Sequence, residues 1–381
     1  MGLTVSAAVP PGPGYKQTEV GVIPEDWAVK TLSEVVTFLD GLRKPVKESE
    51  RAKMRGDIPY YGASGIVDFV NAHLFDEDLI LLAEDGENIV SRTSRIAFRV
   101  SGRTWVNNHA HVLRPNQNVH IGFLVEYLES LNYERFNSGT AQPKLNKAVS
   151  KSIPVLFPAS FSEQQAIAEA LSDADALIEG LEALIAKKRQ LREGAAQKLL
   201  APKDDWSVVN LGEISHIKTG GRNNQDKIAD GKYPFFVRSE KVERINSYTH
   251  DCEAILIPGE GGIGSIFHYI NGRFDVHQRV YAITQFRQDV LGKYVYLFMV
   301  RHFGAHALRN SVKATVDSLR LPTFKMFEVV KPPTVNEQIL IVNILSDMDA
   351  EIAALDVKLA KARRVKAGMM QDLLTGRVRL V

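Results

Sequence analysis

The sequence predicts an α+β fold with two similar mixed α/β bodies, separated by two long helices that form an antiparallel coiled coil with pseudo-two-fold symmetry. A long helical segment beginning at Glu163 recurs from Glu337, and both copies contain Leu-Ser-Asp-x-Asp. A second repeat lies near the start of each body, ahead of the helical segment, where Asp26-Trp27 in the first half matches Asp205-Trp206 in the second. Apolar residues in both helical segments alternate spacings of four and three, which is the pattern of a coiled-coil seam. The chain is therefore an internal duplication.

The repeats divide the chain into five segments. Residues 1–14 are rich in Pro and Gly, and we expect them to form a flexible arm outside the fold. The first body takes residues 15–161, and the first helix, a spacer, takes residues 162–201. The second body takes residues 202–335, and the second helix with a tail takes residues 336–381.

Both bodies contain short runs of β-forming residues broken by Gly and Asn, and each contains one helical stretch. This pattern indicates a mixed α/β body with a curled sheet. In the first body the predicted strands are 58–61, 79–83, 95–100 and 111–113, and the predicted helix is near 123–132. In the second body the predicted strands are 234–237, 254–258 and 279–283, and the predicted helix is near 291–303.

The helix seam is narrow and needs a partner helix, for which the second copy on the same chain is the simplest choice. A dyad between the halves would make the two helices antiparallel, with the bodies at opposite ends. The alternative is that each helix packs only on its own body. The seam residues are Ile167, Leu171, Ala174, Ile178, Leu181 and Ile185 in the first helix, and Ile341, Leu345, Met348, Ile352, Leu355 and Leu359 in the second.

The composition is that of a globular protein with room for two cores, since 45% of its 381 residues are hydrophobic and 24% are charged. No apolar run approaches the roughly 20 residues that span a bilayer, so we expect a soluble, cytoplasmic protein. The single cysteine, Cys252, permits no internal disulfide. A net charge of +2 is too small to indicate nucleic-acid binding, so that function depends on local patches.

The segment Gly259–Gly264 follows a predicted strand and matches the G-x-G-x-x-G pattern of dinucleotide sites. The residues after it resemble another strand, whereas the dinucleotide fingerprint requires a helix there. Two interpretations stay open: a glycine turn whose backbone approaches a phosphate or a groove, and a tight hairpin. The first body carries Glu84-Asp85-Gly86 at the matching place.

A segment that contains histidine lies at the start of one predicted strand in each body. His109-Ala110-His111 and His277-Gln278-Arg279 are expected at equivalent places, so that His109 matches His277 and His111 matches Arg279. Two histidines at i and i+2 could supply half of a metal site, but nothing indicates a third ligand, so no metal is expected. They are hydrogen-bond donors at a surface or ordinary strand residues.

Basic segments precede an aromatic pair in each body. Arg and Asn side chains read guanine and adenine edges, and Lys, Ser and Thr hold phosphates, so these segments favour DNA binding over a merely solvated face. The candidate DNA-binding residues are Arg43, Lys44, Lys47, Arg51, Tyr60, Tyr61, Asn88 and His109 in the first body, and Lys218, Thr219, Arg222, Asn223, Asn224, Arg238, Gly261, His277 and Arg279 in the second. Lys53 and Arg55 belong to the first segment.

Compact motifs for nucleotide hydrolysis, acyl transfer and zinc hydrolysis are absent from the sequence, which indicates a non-catalytic protein without a cofactor. Two similar bodies related by a dyad suit an approximately dyadic partner such as duplex DNA.

The sequence resembles the specificity subunits of type I restriction-modification systems over nearly its whole length. The resemblance is carried by Gly21–Trp27, the helix starts at Glu163 and Glu337, the Leu-Ser-Asp-x-Asp pairs and Leu373-Leu374-Thr375-Gly376. Gly139–Asn146 also resembles the segment that precedes the first helix in this family, whereas Ala314–Leu319 in the second half departs from it.

The resemblance implies that the bodies are target recognition domains, each reading one half of a split double-stranded DNA sequence. The helices would act as a spacer and as a docking surface for two modification subunits, which are adenine methyltransferases, and restriction subunits would join them. S-adenosylmethionine and ATP would belong to the partner subunits. Two alternatives remain: a specificity subunit of a related methylation system without a type I motor, and a coiled-coil scaffold without DNA specificity.

Overall fold

The computed structural model describes residues 12–140, 142–262, 264–310 and 318–380. The chain divides into two compact units: unit 1 is Met1–Ala183 with Val357–Val381, and unit 2 is Leu184–Asp356. Some segments discussed above lie outside the described residues, namely 1–11 of the expected arm, Ala141, Ile263 and 314–317. No helix among the described residues has both the length and the hydropathy needed to cross a bilayer.

Unit 1 contains the first body, the start of one long helix and the end of the other. Its strands are β1 (Tyr15–Thr18), β2 (Gly21–Pro24), β3 (Trp27–Thr31), β4 (Val36–Phe38), β5 (Arg55–Gly62), β6 (Gly65–Val70), β7 (Phe75–Asp76), β8 (Leu79–Ala83), β9 (Ala97–Val100), β10 (Arg103–Val106), β11 (Ala110–Pro115) and β12 (Pro154–Pro158). Its helices are α1 (Leu32–Val35), α2 (Glu48–Arg51), α3 (Asn88–Ser91), α4 (Ile121–Ser130), α5 (Lys147–Lys151) and the first part of α6 (Phe161–Leu199).

The core of unit 1 lies on both faces of the buried strand β8. The strand order is β4-β11-β8-β9 in one sheet and β6-β5-β10-β7 in another, with β12-β3 and β1-β2 as smaller pairs. Successive side chains of a strand point to opposite faces. Accordingly, Ile80 and Leu82 belong to the large cluster that includes α4 and α6, whereas Leu79 and Leu81 belong to a separate cluster with Val106 and other residues.

Unit 2 repeats this architecture with fewer strands. Its strands are β13 (Ser207–Asn210), β14 (His216–Thr219), β15 (Tyr233–Phe236), β16 (Glu243–Ile245), β17 (His250–Pro258), β18 (His268–Val276), β19 (Val280–Thr284) and β20 (Glu328–Lys331). Its helices are the last part of α6, α7 (Leu211–Ile214), α8 (Gly292–Arg309), α9 (Leu321–Lys325) and the first part of α10 (Val335–Leu373).

The main sheet of unit 2 has the order β14-β19-β17-β18-β15-β16. The side chains of its central strand β17 point alternately into two cores, as those of β8 do. Ile255 and Ile257 belong to the cluster that includes the helices, whereas Ala254 and Leu256 belong to the cluster on the opposite face. The described residues of each unit also include a parallel strand pair: Tyr60 pairs with Trp105 in unit 1, and Phe235 pairs with Asp275 in unit 2. The predicted similarity of the two bodies is confirmed.

The predicted match between the histidines is wrong by two residues. Asn107 donates its backbone N–H to the Tyr61 carbonyl, and His277 does the same to the Phe236 carbonyl, so His277 corresponds to Asn107. Arg279 therefore corresponds to His109. The error arose because a histidine occurs in both segments, while the strand register, which sets the equivalence, follows from backbone pairing.

The two long helices pack against each other in antiparallel order within each unit. In unit 1, Lys366 Nζ lies 2.6 Å from Asp175 Oδ2, and Arg363 Nη2 lies 2.6 Å from Glu182 Oε1. In unit 2, Arg192 Nε lies 2.9 Å from Asp349 Oδ1. Residue numbers rise along α6 as those of the partners fall along α10, so the predicted antiparallel packing is confirmed. Each helix has 39 residues.

The seam residues differ in what they contact. Ile167 and Leu171 belong to the main core of unit 1, and Ile341 and Leu345 belong to the main core of unit 2. The interpretation in which a helix packs on its own body thus holds for the first turns. Further along, Leu181 and Ile185 are buried, while the remaining seam positions are partly buried: Ala174, Ile178, Met348, Ile352, Leu355 and Leu359.

A buried glutamine explains the repeated helix start. Gln164 has no exposed surface and accepts a hydrogen bond from the backbone N–H of His120 at 2.8 Å, just before α4. Gln338 is equally buried and accepts from the backbone N–H of Leu291 at 2.8 Å, just before α8. Since a helix start leaves backbone N–H groups without partners, each glutamine satisfies one and ties the long helix to its body.

Candidate nucleic-acid interface

The same backbone frame occurs in both units where the central strand ends. In unit 1 the Glu84 N–H donates to the His109 carbonyl at 2.9 Å, and the Leu145 N–H donates to the Glu84 carbonyl at 2.7 Å. In unit 2 the Gly259 N–H donates to the Arg279 carbonyl, and the Leu319 N–H donates to the Gly259 carbonyl, both at 2.8 Å. The frame holds the residue after β8 or β17 close to the residue before β11 or β19.

A carboxylate and a basic side chain meet on this frame in each unit. His109 Nδ1 lies 2.9 Å from Asp85 Oδ1. Arg279 Nη1 donates to Glu260 Oε1, and Arg238 Nη1 lies 3.4 Å from Glu260 Oε2. The side chains of Asp85 and Glu260 are each 23% exposed, whereas those of His109 and Arg279 are 52% and 56% exposed. The acidic side chains are sheltered, and the basic side chains face solvent.

A glycine with positive φ follows each of these carboxylates. Gly86 has a φ of 110°, and Gly261 has a φ of 71°. Residues other than glycine rarely adopt this region of φ. The glycine-rich segment of unit 2 continues into strand β18 instead of a helix. The pyrophosphate site of the dinucleotide fingerprint is a helix N-terminus, so the match to that fingerprint carries no cofactor site here.

Three candidates in the first basic segment have structural roles. Arg43 Nη1 donates to Glu84 Oε2 at 2.6 Å and to the Ala110 carbonyl at 2.7 Å. Arg51 donates to Asp68 at 2.9 Å and lies over the ring of Tyr60. Tyr60 is 2% exposed, and its hydroxyl accepts from the Val46 N–H. Tyr60 is therefore part of the core and does not belong to the candidate surface.

The lysines of that segment are exposed instead. Among the described residues, no carboxylate lies within 4 Å of Lys44 or Lys47, and the same holds for Lys53 and Arg55. The backbone of Lys44 is fixed, since its carbonyl accepts from Trp105 Nε1 at 2.7 Å. These cations are therefore available to an anionic partner. Tyr61 is partly buried beside Phe98, and Asn88 closes a turn by accepting from the Ser94 N–H at 2.8 Å.

The second basic segment divides in the same way. Lys218 is exposed on β14, with no ion-pair partner among the described residues, and Thr219 beside it is half-buried. Arg222 Nε donates to Asp275 Oδ2 at 3.1 Å, and the side chain of Asp275 is 1% exposed. Asn223 accepts from Gln278 Nε2 at 2.6 Å, and Asn224 is exposed. Arg222 is thus the counter-ion of a buried carboxylate, although its side chain is partly exposed.

Two histidines of the candidate region are buried. His111 has no exposed surface, with Nδ1 2.9 Å from Asp40 Oδ2 and Nε2 2.8 Å from the Leu145 carbonyl. His277 is 5% exposed and accepts from the Arg279 N–H at 3.0 Å. Burial lowers the pKa of His277, and the nearby Arg238 and Arg279 lower it further. The described residues contain no group of three or more His, Cys, Asp or Glu side chains placed to hold a metal ion.

Sequence reasoning missed the acidic partners of these basic residues. Asp85 and Glu260 stood out only as parts of turns, although an acid followed by glycine after a buried apolar run was a usable signal. Asp275 interrupts Phe274-Asp275-Val276, where a charge inside an apolar strand indicates a buried pair. Its partner Arg222 is distant in sequence and has no local signal.

The chain matches the model of the type I restriction modification DNA specificity domain over residues 24–187 and again over residues 203–361. A putative type I restriction enzyme specificity subunit of Haemophilus influenzae is 30% identical over 347 residues, which cover 84% of this chain and 87% of that protein. The specificity subunit of the Escherichia coli EcoDI type I restriction enzyme is 30% identical over 178 residues, or 45% of this chain and 37% of that protein.

Solved structures share the fold. The crystal structure of the type I restriction-modification S subunit of M. genitalium matches with a TM-score of 0.68 at 16% identity, covering 91% of this chain and 96% of that one. A chain from a study of complex assembly in the type I system matches with a TM-score of 0.52 at 14% identity, covering 93% and 99%.

Proposed function

Because the chain belongs to the type I restriction-modification DNA specificity family, we propose that it reads a split DNA target, one half with each unit. It is a specificity subunit, the non-catalytic component that recognises the DNA target in a restriction-modification complex. In this proposal, residues 15–161 and 202–335 are the two target recognition domains. Residues 162–201 and 336–381 are the spacer helices.

The observation that carries the proposal is one backbone frame with different side chains in the two units. The hydrogen bonds that fix residues 84 and 109 in unit 1 also fix residues 259 and 279 in unit 2. The side chains on the frame differ, with Asp85 and His109 in one unit and Glu260 and Arg279 in the other. A shared scaffold with different polar groups suits the reading of two different sequences, since base-edge contacts specify and backbone contacts position.

Exposed cations in each unit would supply the phosphate contacts. Lys44 and Lys47 in unit 1 and Lys218 in unit 2 are exposed and have no carboxylate partner among the described residues. Unpaired lysines bind phosphate without regard to sequence and make affinity depend on salt. The small net charge of +2 is compatible with this role because other basic residues of these regions, such as Arg43 and Arg51, are paired with acids.

The long helices offer surfaces for two modification subunits, which restriction subunits would join. Several apolar side chains on these helices are at least one-third exposed: Leu177 and Val365 in unit 1, and Leu184, Leu191 and Leu340 in unit 2. Leu177, Leu184 and Leu191 follow one another at intervals of seven residues, so they lie along one face of α6. An apolar face of this kind is a common partner surface.

Mapping methylated adenines across the genome tests this function. Cells with the intact system should methylate one split sequence, and deletion of this chain alone should abolish that methylation. If the chain were a scaffold without DNA specificity, the methylated sequence would stay the same without it. A third outcome is also defined: deletion of the chain abolishes methylation, but the purified intact complex does not cleave DNA. That outcome would identify a related methylation system without a motor.

A further inference from the structure

We propose that Arg279 and His109 are the base-reading side chains of the two units, and that Glu260 and Asp85 position them. This inference rests on the proposed function and deepens it. It starts from the equivalence set by the backbone frame, which places Arg279 where His109 lies and Glu260 where Asp85 lies. Two isolated β-bridges support the same alignment, because Asp85 pairs with Lys144 and Glu260 pairs with Ser318.

Both basic side chains are held at one end and free at the other. Among the described residues, Arg279 uses only Nη1 for a side-chain hydrogen bond, to Glu260, so Nε and Nη2 stay available. An arginine edge with two free donors matches the O6 and N7 acceptors of guanine. His109 uses Nδ1 toward Asp85, and its Nε2 has no partner among the described residues.

The two carboxylates are less suited to contact DNA, because they are more sheltered than the Arg279 and His109 side chains that they bind. Their effect is to fix the rotamer of a long, solvent-exposed side chain before DNA arrives. Pre-organisation of this kind reduces the entropy lost on binding. Glu260 also lowers the local positive charge by pairing with both Arg238 and Arg279, which weakens sequence-independent attraction to phosphate.

The glycines that follow the carboxylates provide the room for a close approach. Apart from each glycine's own chain neighbours, no heavy atom of the described residues lies within 4 Å of a Cβ placed on Gly86 or on Gly261. The surface beside each carboxylate is therefore open. A side chain at Gly261 would also be strained, since its φ is 71°. An acidic residue, a following glycine and a basic side chain opposite them recur in both units. An incidental surface ion pair does not account for this recurrence.

Binding of the reconstituted complex with its modification subunits tests the inference. The probes are the duplex identified by methylation mapping, single-base-pair variants of it, and an unrelated duplex. Arg279→Lys keeps the charge but removes the two-donor edge. We expect it to lose about tenfold to a hundredfold of discrimination at one base pair in one half-site, with the salt slope unchanged. The matched control is Arg273→Lys, because Arg273 forms an exposed pair with Asp251 in the same unit.

The positioning role has its own readout. Glu260→Gln should lose discrimination at the same base pair while binding to the unrelated duplex is unchanged or stronger. The double variant Glu260→Gln/Arg279→Lys should lose no more discrimination than Arg279→Lys alone, because the carboxylate acts through the arginine. His109→Gln and Asp85→Asn should affect one position of the other half-site.

Discrimination within twofold of the Arg273→Lys control in both Glu260→Gln and Arg279→Lys would overturn the inference. Loss of binding to every duplex, with a lowered unfolding midpoint, would assign the pair a structural role and overturn it as well. Failure of the proposed function looks different, since the wild-type complex itself would then show no preference for the mapped duplex.

Discussion

Arg379 binds Glu163, although 216 residues separate them in sequence, and the Arg379 Nη2 to Glu163 Oε2 distance is 2.8 Å. Glu163 lies at the start of α6 and has no exposed surface. Its carboxylate also accepts from Trp27 Nε1 at 3.2 Å, and Arg379 also donates to Asp26. The segment after α10 thus completes the first body by supplying the counter-ion of a buried acid.

Removing that counter-ion should destabilise unit 1. Arg379→Ala leaves Glu163 buried with one neutral partner, and we expect a loss of about 3 kcal/mol in the free energy of unfolding of unit 1. Hydrogen exchange of the amides in β3 and β12 reports unit 1 separately from unit 2. The control is Arg377→Ala, because the Arg377 side chain is 61% exposed and its Nη1 is as far as 4.0 Å from Asp372 Oδ1. Equal exchange rates in the two variants would refute the proposed role of Arg379.

The stability of unit 1 should fall in acid partly because of Asp40. Burial raises the pKa of Asp40, but hydrogen bonds from His111 and the Val112 N–H and the charge of Arg43 outweigh it, and the pKa is lowered. A carboxyl whose pKa is lower in the folded state stabilises the fold above its unfolded pKa of about 4, and this contribution is lost as the pH falls through the folded pKa.

Asp40→Asn should therefore cost about 1 to 3 kcal/mol at pH 7, and the difference from wild type should shrink below about pH 4. Urea unfolding between pH 7 and pH 3 measures it. Asp76→Asn is a suitable control, since Asp76 is 55% exposed and lies 3.4 Å from Arg103. A difference between wild type and Asp40→Asn that grew in acid would contradict the assignment.

Two basic residues of unit 2 should respond differently to alanine. Lys218 is exposed and unpaired among the described residues, so Lys218→Ala should weaken binding to all duplexes alike and lower the salt slope by about one. Arg222→Ala should instead lower the stability of unit 2, because it leaves buried Asp275 without its cation. Salt titrations of binding and urea unfolding separate the two effects. A base-specific loss in a stable Arg222→Ala variant would show that its partly exposed side chain reads DNA.

The spacer role of the helices predicts a change in the gap between half-sites. Adding seven residues to α6 between Ala186 and Lys187 keeps the heptad phase and lengthens the helix by about 10 Å, near three base pairs. The variant should select a longer gap between unchanged half-sites, or lose binding if rotation around the duplex is not tolerated. Selection from duplexes with varied gaps measures it. Unchanged affinity for the original gap in a folded variant would rule out the spacer role.

The sequence predicted periodic and repeated features and missed contacts between distant residues. The sequence predicted the two long helices because their heptads are local and occur twice. The predicted equivalence of His109 and His277 was wrong because backbone pairing sets the strand register. A residue type that two segments share does not reveal that register. The pairs Arg379–Glu163 and Arg222–Asp275 were not predicted, since each joins residues brought together only by tertiary folding.

Exchange of one body tests whether each unit reads its own half of the target. Residues 202–335 would be replaced by the equivalent segment of a relative with a different known target, and methylated adenines would be mapped across the genome. We expect one half of the methylated sequence to become that of the relative while the other half stays unchanged. A chimera that assembles and methylates with both halves changed, or with neither changed, would contradict the claim that each unit reads its own half of the target.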